Sequence, residues 1–182
     1  METKQNLSWS DQYSIIDDFL TTGRYSLALL IYIGFHTGLK YSSYQYLTWK
    51  KILEKDYFMV VSSRSNHVMK VNINNEMSSF IIKIYNLCNK PEINSYCFIS
   101  RKKKVFTIQR LNIILKEEAR KININPQNIS THSIRKAYGQ EIYKQYGEQS
   151  LYFLKDLFSQ PSIEFTQKYL GIISTNTSKF CL

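Results

Sequence analysis

A chain of 182 residues suits one compact domain with a sizeable core, and 43% hydrophobic with 21% charged content excludes a disordered, collagen-like or disulfide-stapled chain. The 24 Lys and Arg against 14 Asp and Glu leave a formal charge of +10, which favours a polyanionic partner, nucleic acid first and an anionic membrane second. Taken in chain order, Ser10 is expected to cap a helix that runs to Leu20, with Gly23 stopping it. A second helix is expected from Arg24 to Thr37. Its apolar residues lie almost all round, which implies a central position, and Gly38 supplies a left-handed stop. Ser42 to Leu47 reads as a short helix. Tyr57 to Val61 and Val68 to Ile73 are β-rich runs flanking a polar stretch, the pattern of a hairpin with His67 near its tip. Helical spacing resumes from Glu76 to Cys88, and residues 97 to 99 are expected to add a short third strand. Thr107 caps a helix to Lys121, Ser130 or Thr131 starts another to Tyr146, and two shorter helices are expected over Gln149 to Phe158 and Ser162 to Leu170. The fold class is α/β, mainly α with one small antiparallel sheet.

The longest apolar run, Leu27 to Phe35, spans nine residues, far below the roughly 20 that a bilayer crossing needs. The first residues carry no secretory signal pattern, so a cytoplasmic location and no membrane partner are expected. Cys88, Cys97 and Cys181 share no CxxC spacing and read as reduced thiols, with no metal and no small-molecule cofactor expected. His36 lies on the buried helix and reads as a core histidine. The aromatic group Tyr41, Tyr44, Tyr46 and Trp49 reads as packing.

Three separated segments together resemble the catalytic domain of the tyrosine recombinases, also called the phage integrase family. Residues 30–49 (LIYIGFHTGLKYSSYQYLTW) resemble its first box, in which an apolar helix ends in Thr-Gly-Leu-Arg and leads to Leu-Thr-Trp. Residues 131–139 (THSIRKAYG) resemble its His-x-Leu-Arg box, and residues 157–171 (LFSQPSIEFTQKYLG) its final box. The resemblance covers almost the whole chain and implies a DNA breaking-and-rejoining fold. It further implies that Tyr169 attacks a DNA phosphodiester, leaving a 3′-phosphotyrosyl link and a free 5′-hydroxyl without metal or external energy. In-line attack on phosphate gathers charge on the non-bridging oxygens, which guanidinium groups match with paired hydrogen bonds. Arg135 would be one such clamp, and His132 would manage the phenolic proton.

Other positions depart from the family pattern. Lys40 stands where the first arginine is expected, keeping the charge as a point donor without the planar grip. Ser43 stands where an acidic residue usually follows. Gln160, nine positions before Tyr169, stands where His or Trp is usual, and an amide cannot exchange a proton near neutral pH. The family's hairpin lysine aligns with Arg64, a poor proton donor, with Lys70 as a stand-in.

Between positions 101 and 120, seven basic residues face two acidic ones. Arg101, Lys102, Lys103, Lys104 and Arg110 are therefore expected to contact DNA phosphates, joined by Lys70 and by Lys136 beside the arginine box. The first helix begins close to Met1, so residues 1–182 are expected to form a single catalytic domain without the family's N-terminal core-binding domain. DNA binding would then be weak and salt-dependent. The expected partners are double-stranded DNA and, on it, further copies or a partner recombinase, with a monomer in its absence. Phe180 and Leu182 are candidate anchors for a C-terminal exchange between copies. Two functions stay open: a site-specific recombinase or integrase of a mobile element, and an impaired relative that binds DNA without cutting it. A third is an unrelated basic helical nucleic-acid-binding protein.

Overall fold

Ser8, not Ser10, opens the first helix, α1 (Trp9–Thr21). Its hydroxyl accepts the Asp11 N–H at 3.0 Å while the Asp11 carboxylate accepts the Ser8 N–H at 2.8 Å. Ser10, already inside the helix, cannot make that reciprocal cap. The computed structural model describes residues 7–61 and 68–172. The hairpin tip with Arg64 and His67, and the C-terminal stretch with Phe180, Cys181 and Leu182, lie outside the described residues.

Helix α2 (Tyr25–Thr37) is buried at ten of its 13 positions, as its all-round apolar sequence requires. It ends at Gly38 in the left-handed conformation, φ 62°. The ring of Tyr138 occupies the space a Cβ on residue 38 would need, with Cε1 and Cγ at 2.7 and 2.9 Å. Helix α3 (Tyr41–Tyr44) is shorter than expected. It is pinned by its tyrosines: the Tyr44 hydroxyl donates to the Leu30 carbonyl at 3.2 Å and the Tyr41 hydroxyl to the Phe106 carbonyl at 2.9 Å. A one-turn helix not anticipated from the sequence, α4 (Trp49–Leu53), buries Trp49 and Ile52.

Strands β1 (Tyr57–Val61) and β2 (Val68–Asn72) form an antiparallel hairpin in which Met59 faces Lys70 across the ladder. Phe58 and Val60 point into the protein. Helix α5 (Asn75–Leu87) follows, capped by Asn74. The expected strand at 97–99 does not form. The segment bridges singly, Tyr96 to Thr48 and Ile99 to Val105, and the Cys97 N–H donates to the Leu47 carbonyl at 2.9 Å. Cys97 and Phe98 are both fully buried, which an alternating half-buried strand would not allow.

Thr107 caps α6 (Ile108–Lys121), and Ser130 caps α7 (Thr131–Tyr146). After a single 3₁₀ turn come α8 (Ser150–Phe158) and α9 (Ile163–Leu170). Helix α2 packs against α1, α5 and α7, while α8 and α9 pack on each other and on α7. Leu29, Leu30, Ile31, Ile33 and Phe35 are at most 1% exposed, and each contributes about 1.5–3 kcal/mol of burial. The residues that follow α2 are therefore carried on the most firmly held element. His36 serves this core: its Nδ1 lies 2.9 Å from the Tyr32 carbonyl and its ring stacks on Tyr32. Among the described residues, no helix is long and apolar enough to cross a membrane.

Candidate active site

Arg135 sits one turn into α7 and is only 5% exposed. The start of that helix is fixed by the Ser130 cap and by Asn112 of α6, whose Oδ1 accepts the Thr131 N–H at 2.9 Å. Nη2 of Arg135 donates to the Leu157 carbonyl at 2.9 Å, and the guanidinium lies over the Phe158 ring at 4.5 Å. Burial pulls its pKa from 12.5 down to about 10, against a smaller upward pull from Tyr169, so it remains a cation at neutral pH. Lys40, half-buried, follows the Gly38 turn at the start of α3 with extended backbone. It shares a narrow cleft of about 10 Å³, room for about one water molecule, with Ser43, Arg135, Leu157 and Ser159, walled on the hairpin side by Val60 and Met69. Segments scattered from residue 39 to residue 159 thus meet around two cationic side chains.

Tyr169 lies in the last turn of α9, which is gripped by α7. Gln140 Nε2 donates to the Leu170 carbonyl at 2.6 Å. Gly139 lets the helices close in, since a Cβ there would meet Leu170 at 2.6 Å and Phe158 at 2.8 Å. The Tyr169 ring stands edge-on to Phe158, 5.3 Å between centroids. Burial raises the Tyr169 pKa, and the nearby Arg135 cation partly offsets this. Its hydroxyl donates to the His132 backbone carbonyl at 3.4 Å, a long and weak bond. The contact is with the backbone and not with the imidazole, which is exposed on the first turn of α7. The expected convergence of His132 and Arg135 therefore differs in detail: the arginine turns inward and the histidine faces solvent.

Phe158, Leu157 and Ser159 were missed from the sequence, although they directly precede Gln160 in the final box. Phe158 packs on both Arg135 and Tyr169 and so joins the guanidinium to the phenol. Ser159, rather than Gln160, walls the cleft. Gln160 is half-buried, and its N–H donates to the Lys155 carbonyl at 2.9 Å. Lys70 lies on the outward face of the hairpin, Nζ 4.3 Å from the Tyr57 ring centroid, whereas its neighbour Met69 faces the cleft. Arg64 lies outside the described residues.

Arg101, Lys102, Lys103 and Lys104 occupy an exposed turn, closed by the Ser100 N–H donating to the Lys104 carbonyl at 2.9 Å. Arg101, Lys102, Lys104, Arg110 and also Arg24 border a second, open cleft of about 870 Å³ that shares no residue with the first. Lys136, half-buried, reaches toward Gly171 at the end of α9, where a cation favours the helix dipole.

The pattern of the Phage integrase family matches residues 9–173. No curated protein matches the chain. Among solved structures, XerA recombinase superposes with a TM-score of 0.71 at 17% identity, covering 91% of this chain and 58% of that one. The Tn1549 transposon integrase in complex with transposon right end DNA gives 0.70 at 16% identity, covering 93% and 62%. A lambda integrase dimer bound to a COC′ core site gives 0.62 at 13% identity, covering 98% and 51%. This chain thus spans less than two thirds of each of those chains, and likeness at such identities establishes a common fold. With the family pattern running from α1 to the end of α9 and the same architecture beneath it, the chain belongs to the phage integrase family and forms a tyrosine recombinase domain.

Proposed function

We propose that this domain cuts and rejoins double-stranded DNA through a covalent 3′-phosphotyrosyl intermediate, with Tyr169 as nucleophile. The observation that carries this reading is the shared packing partner: Phe158 holds both the Arg135 guanidinium and the Tyr169 ring, setting a phenol beside the cleft where Arg135 and Lys40 meet. A phosphate at the mouth of that cleft would receive the N–H groups of Arg135 not used on Leu157, and the ammonium of Lys40. The Tyr169 oxygen bonds to phosphorus as the bond to the 5′-oxygen breaks. The phenolic proton leaves and the 5′-oxygen gains one. Burial disfavours the phenolate, and Arg135 is the group that eases its formation. The His132 imidazole, one turn before Arg135, is the candidate acceptor. For the leaving oxygen, Lys70 would have to donate from the outward face of the hairpin, and Arg64 holds its proton too tightly.

DNA as partner is supported by the basic turn at 101–104 with Arg110, and by relatives whose structures hold transposon or core-site DNA. The dimeric lambda relative supports assembly of further copies, or of a partner recombinase, on DNA. Incubation with a pool of nicked duplexes that trap cleavage should give a denaturation-resistant protein–DNA adduct that Tyr169→Phe abolishes. A second reading is favoured by Lys40 and Gln160, which weaken phosphate clamping and proton exchange: a DNA-binding relative that does not cut. Salt-sensitive binding with no adduct would establish that reading instead.

A further inference from the structure

Three helices, α2, α7 and α9, stop at glycines with positive φ (Gly38 62°, Gly147 66°, Gly171 75°), whereas α8 stops at Ser159 with φ 52° and ψ 45°. Glycine adopts that backbone without penalty and a serine does not. The other non-glycine residues with positive φ among the described residues, Asn89, Lys90, Lys103 and Asn123, are all exposed. Ser159 alone of the five is half-buried, and it lines the cleft with Lys40 and Arg135. Strain kept at such a place, where glycine would relieve it, points to use of the side chain. The local chemistry fits one. Arg135 has already committed a donor to Leu157, and Lys40 offers a charge with little directionality. A hydroxyl adds a fixed, directional donor.

Building on the strand-transfer reading, we propose that Ser159 is a phosphate-contacting residue, its hydroxyl donating to a non-bridging oxygen of a DNA phosphate seated at the mouth of the cleft that Lys40 and Arg135 line. The left-handed stop of α8 sets Ser159 in the cleft wall. The residue supplies part of the grip that a lysine in place of an arginine gives up.

The test uses the full chain, with inorganic phosphate as probe and the Arg135 guanidinium NMR signals as reporter. Ser159→Gly removes the hydroxyl and relieves the backbone, so Tm should rise by about 2–4 °C while phosphate affinity falls about tenfold. Ser159→Ala removes the hydroxyl and keeps the backbone strained, so it should lose affinity equally without gaining Tm. A merely structural serine would not weaken binding while raising Tm. Phosphate affinity in Ser159→Gly equal to that of the unaltered chain, or no phosphate-dependent shift of the Arg135 signals at all, overturns the proposal. Ser159-dependent phosphate binding in a chain that forms no Tyr169 adduct supports the assignment of Ser159 and overturns strand transfer alone.

Discussion

Gly38→Ala should damage the protein in two separable ways. The first is conformational: residue 38 has φ 62°, and a Cβ in that region costs about 1–2 kcal/mol. The second is steric: the new methyl would sit 2.7 and 2.9 Å from two ring atoms of Tyr138. That ring is half-buried between α2 and α7, not a flexible tip, so relief requires movement of packed elements at about 1–3 kcal/mol. The sum is near 3 kcal/mol, a fall in Tm of about 6–12 °C. Urea unfolding of the four proteins in a double-mutant cycle separates the parts. In a Tyr138→Ala background, Gly38→Ala should cost only the conformational part, leaving a coupling of about 1–3 kcal/mol. Equal costs in both backgrounds would refute the steric argument, and a cost under about 0.5 kcal/mol in the native background would refute both. Because Lys40 follows two residues after this turn, folded Gly38→Ala protein should also bind phosphate more weakly.

Three further outcomes follow from other parts of the structure. Glu118 is fully buried and ion-paired with Arg24, which is 24% exposed. Arg24→Ala should lower unfolding free energy by about 2–4 kcal/mol, somewhat less than the full cost of stranding a buried charge, because Lys121 Nζ stays 3.5 Å from the same Glu118 oxygen, while Arg24→Lys in the same urea titration should recover part of it. Burial raises the phenol pKa of Tyr32, Tyr41, Tyr44, Tyr138 and Tyr169 above the ordinary 10.0. The unfolded chain therefore ionises first, and stability is full below pH ~10 and lost as pH climbs above it; a urea midpoint that stayed flat from pH ~9 to ~11 would contradict this. Replacing Arg101, Lys102 and Lys104 together by Ala should make the plot of log DNA affinity against log salt shallower by about 0.9 for each phosphate that is no longer neutralised, as read by fluorescence anisotropy.

The helices were legible wherever one local rule acted alone. Gly38, Thr107 and Ser130 mark their helix ends because a left-handed stop or a hydroxyl cap is decided within four residues. The first helix was misplaced by two residues because Ser8 and Ser10 are equivalent caps until Asp11 is counted, and only Ser8 has it three positions on. The failed strand at 97–99 and the unforeseen α4 share a cause: residues 47–49 and 95–97 hydrogen-bond to each other, a long-range pairing that no local pattern encodes. The face on which Lys70 lies was a matter of register. With Val68 opposite Val61, alternation puts Lys70 outward and Met69 inward.

The site divides along the same line. Residue types suited to phosphate chemistry could be read at Lys40, His132, Arg135 and Tyr169, but the packing that holds Arg135 and Tyr169 near each other could not. Arg135 is held by a backbone carbonyl and an aromatic face from α8, and Tyr169 rests against that same ring from α9. A buried phenylalanine reads as ordinary core in a sequence, yet here its ring packs on both Arg135 and Tyr169. Any motion of α9 that repositions Tyr169 must slide along Phe158, and any shift of Phe158 is felt by Arg135. Phe158→Leu keeps the volume largely filled and removes the aromatic face. If that face aligns the two groups, adduct formation should fall by more than tenfold while duplex binding at fixed salt changes little; equal losses in both would reduce Phe158 to core packing.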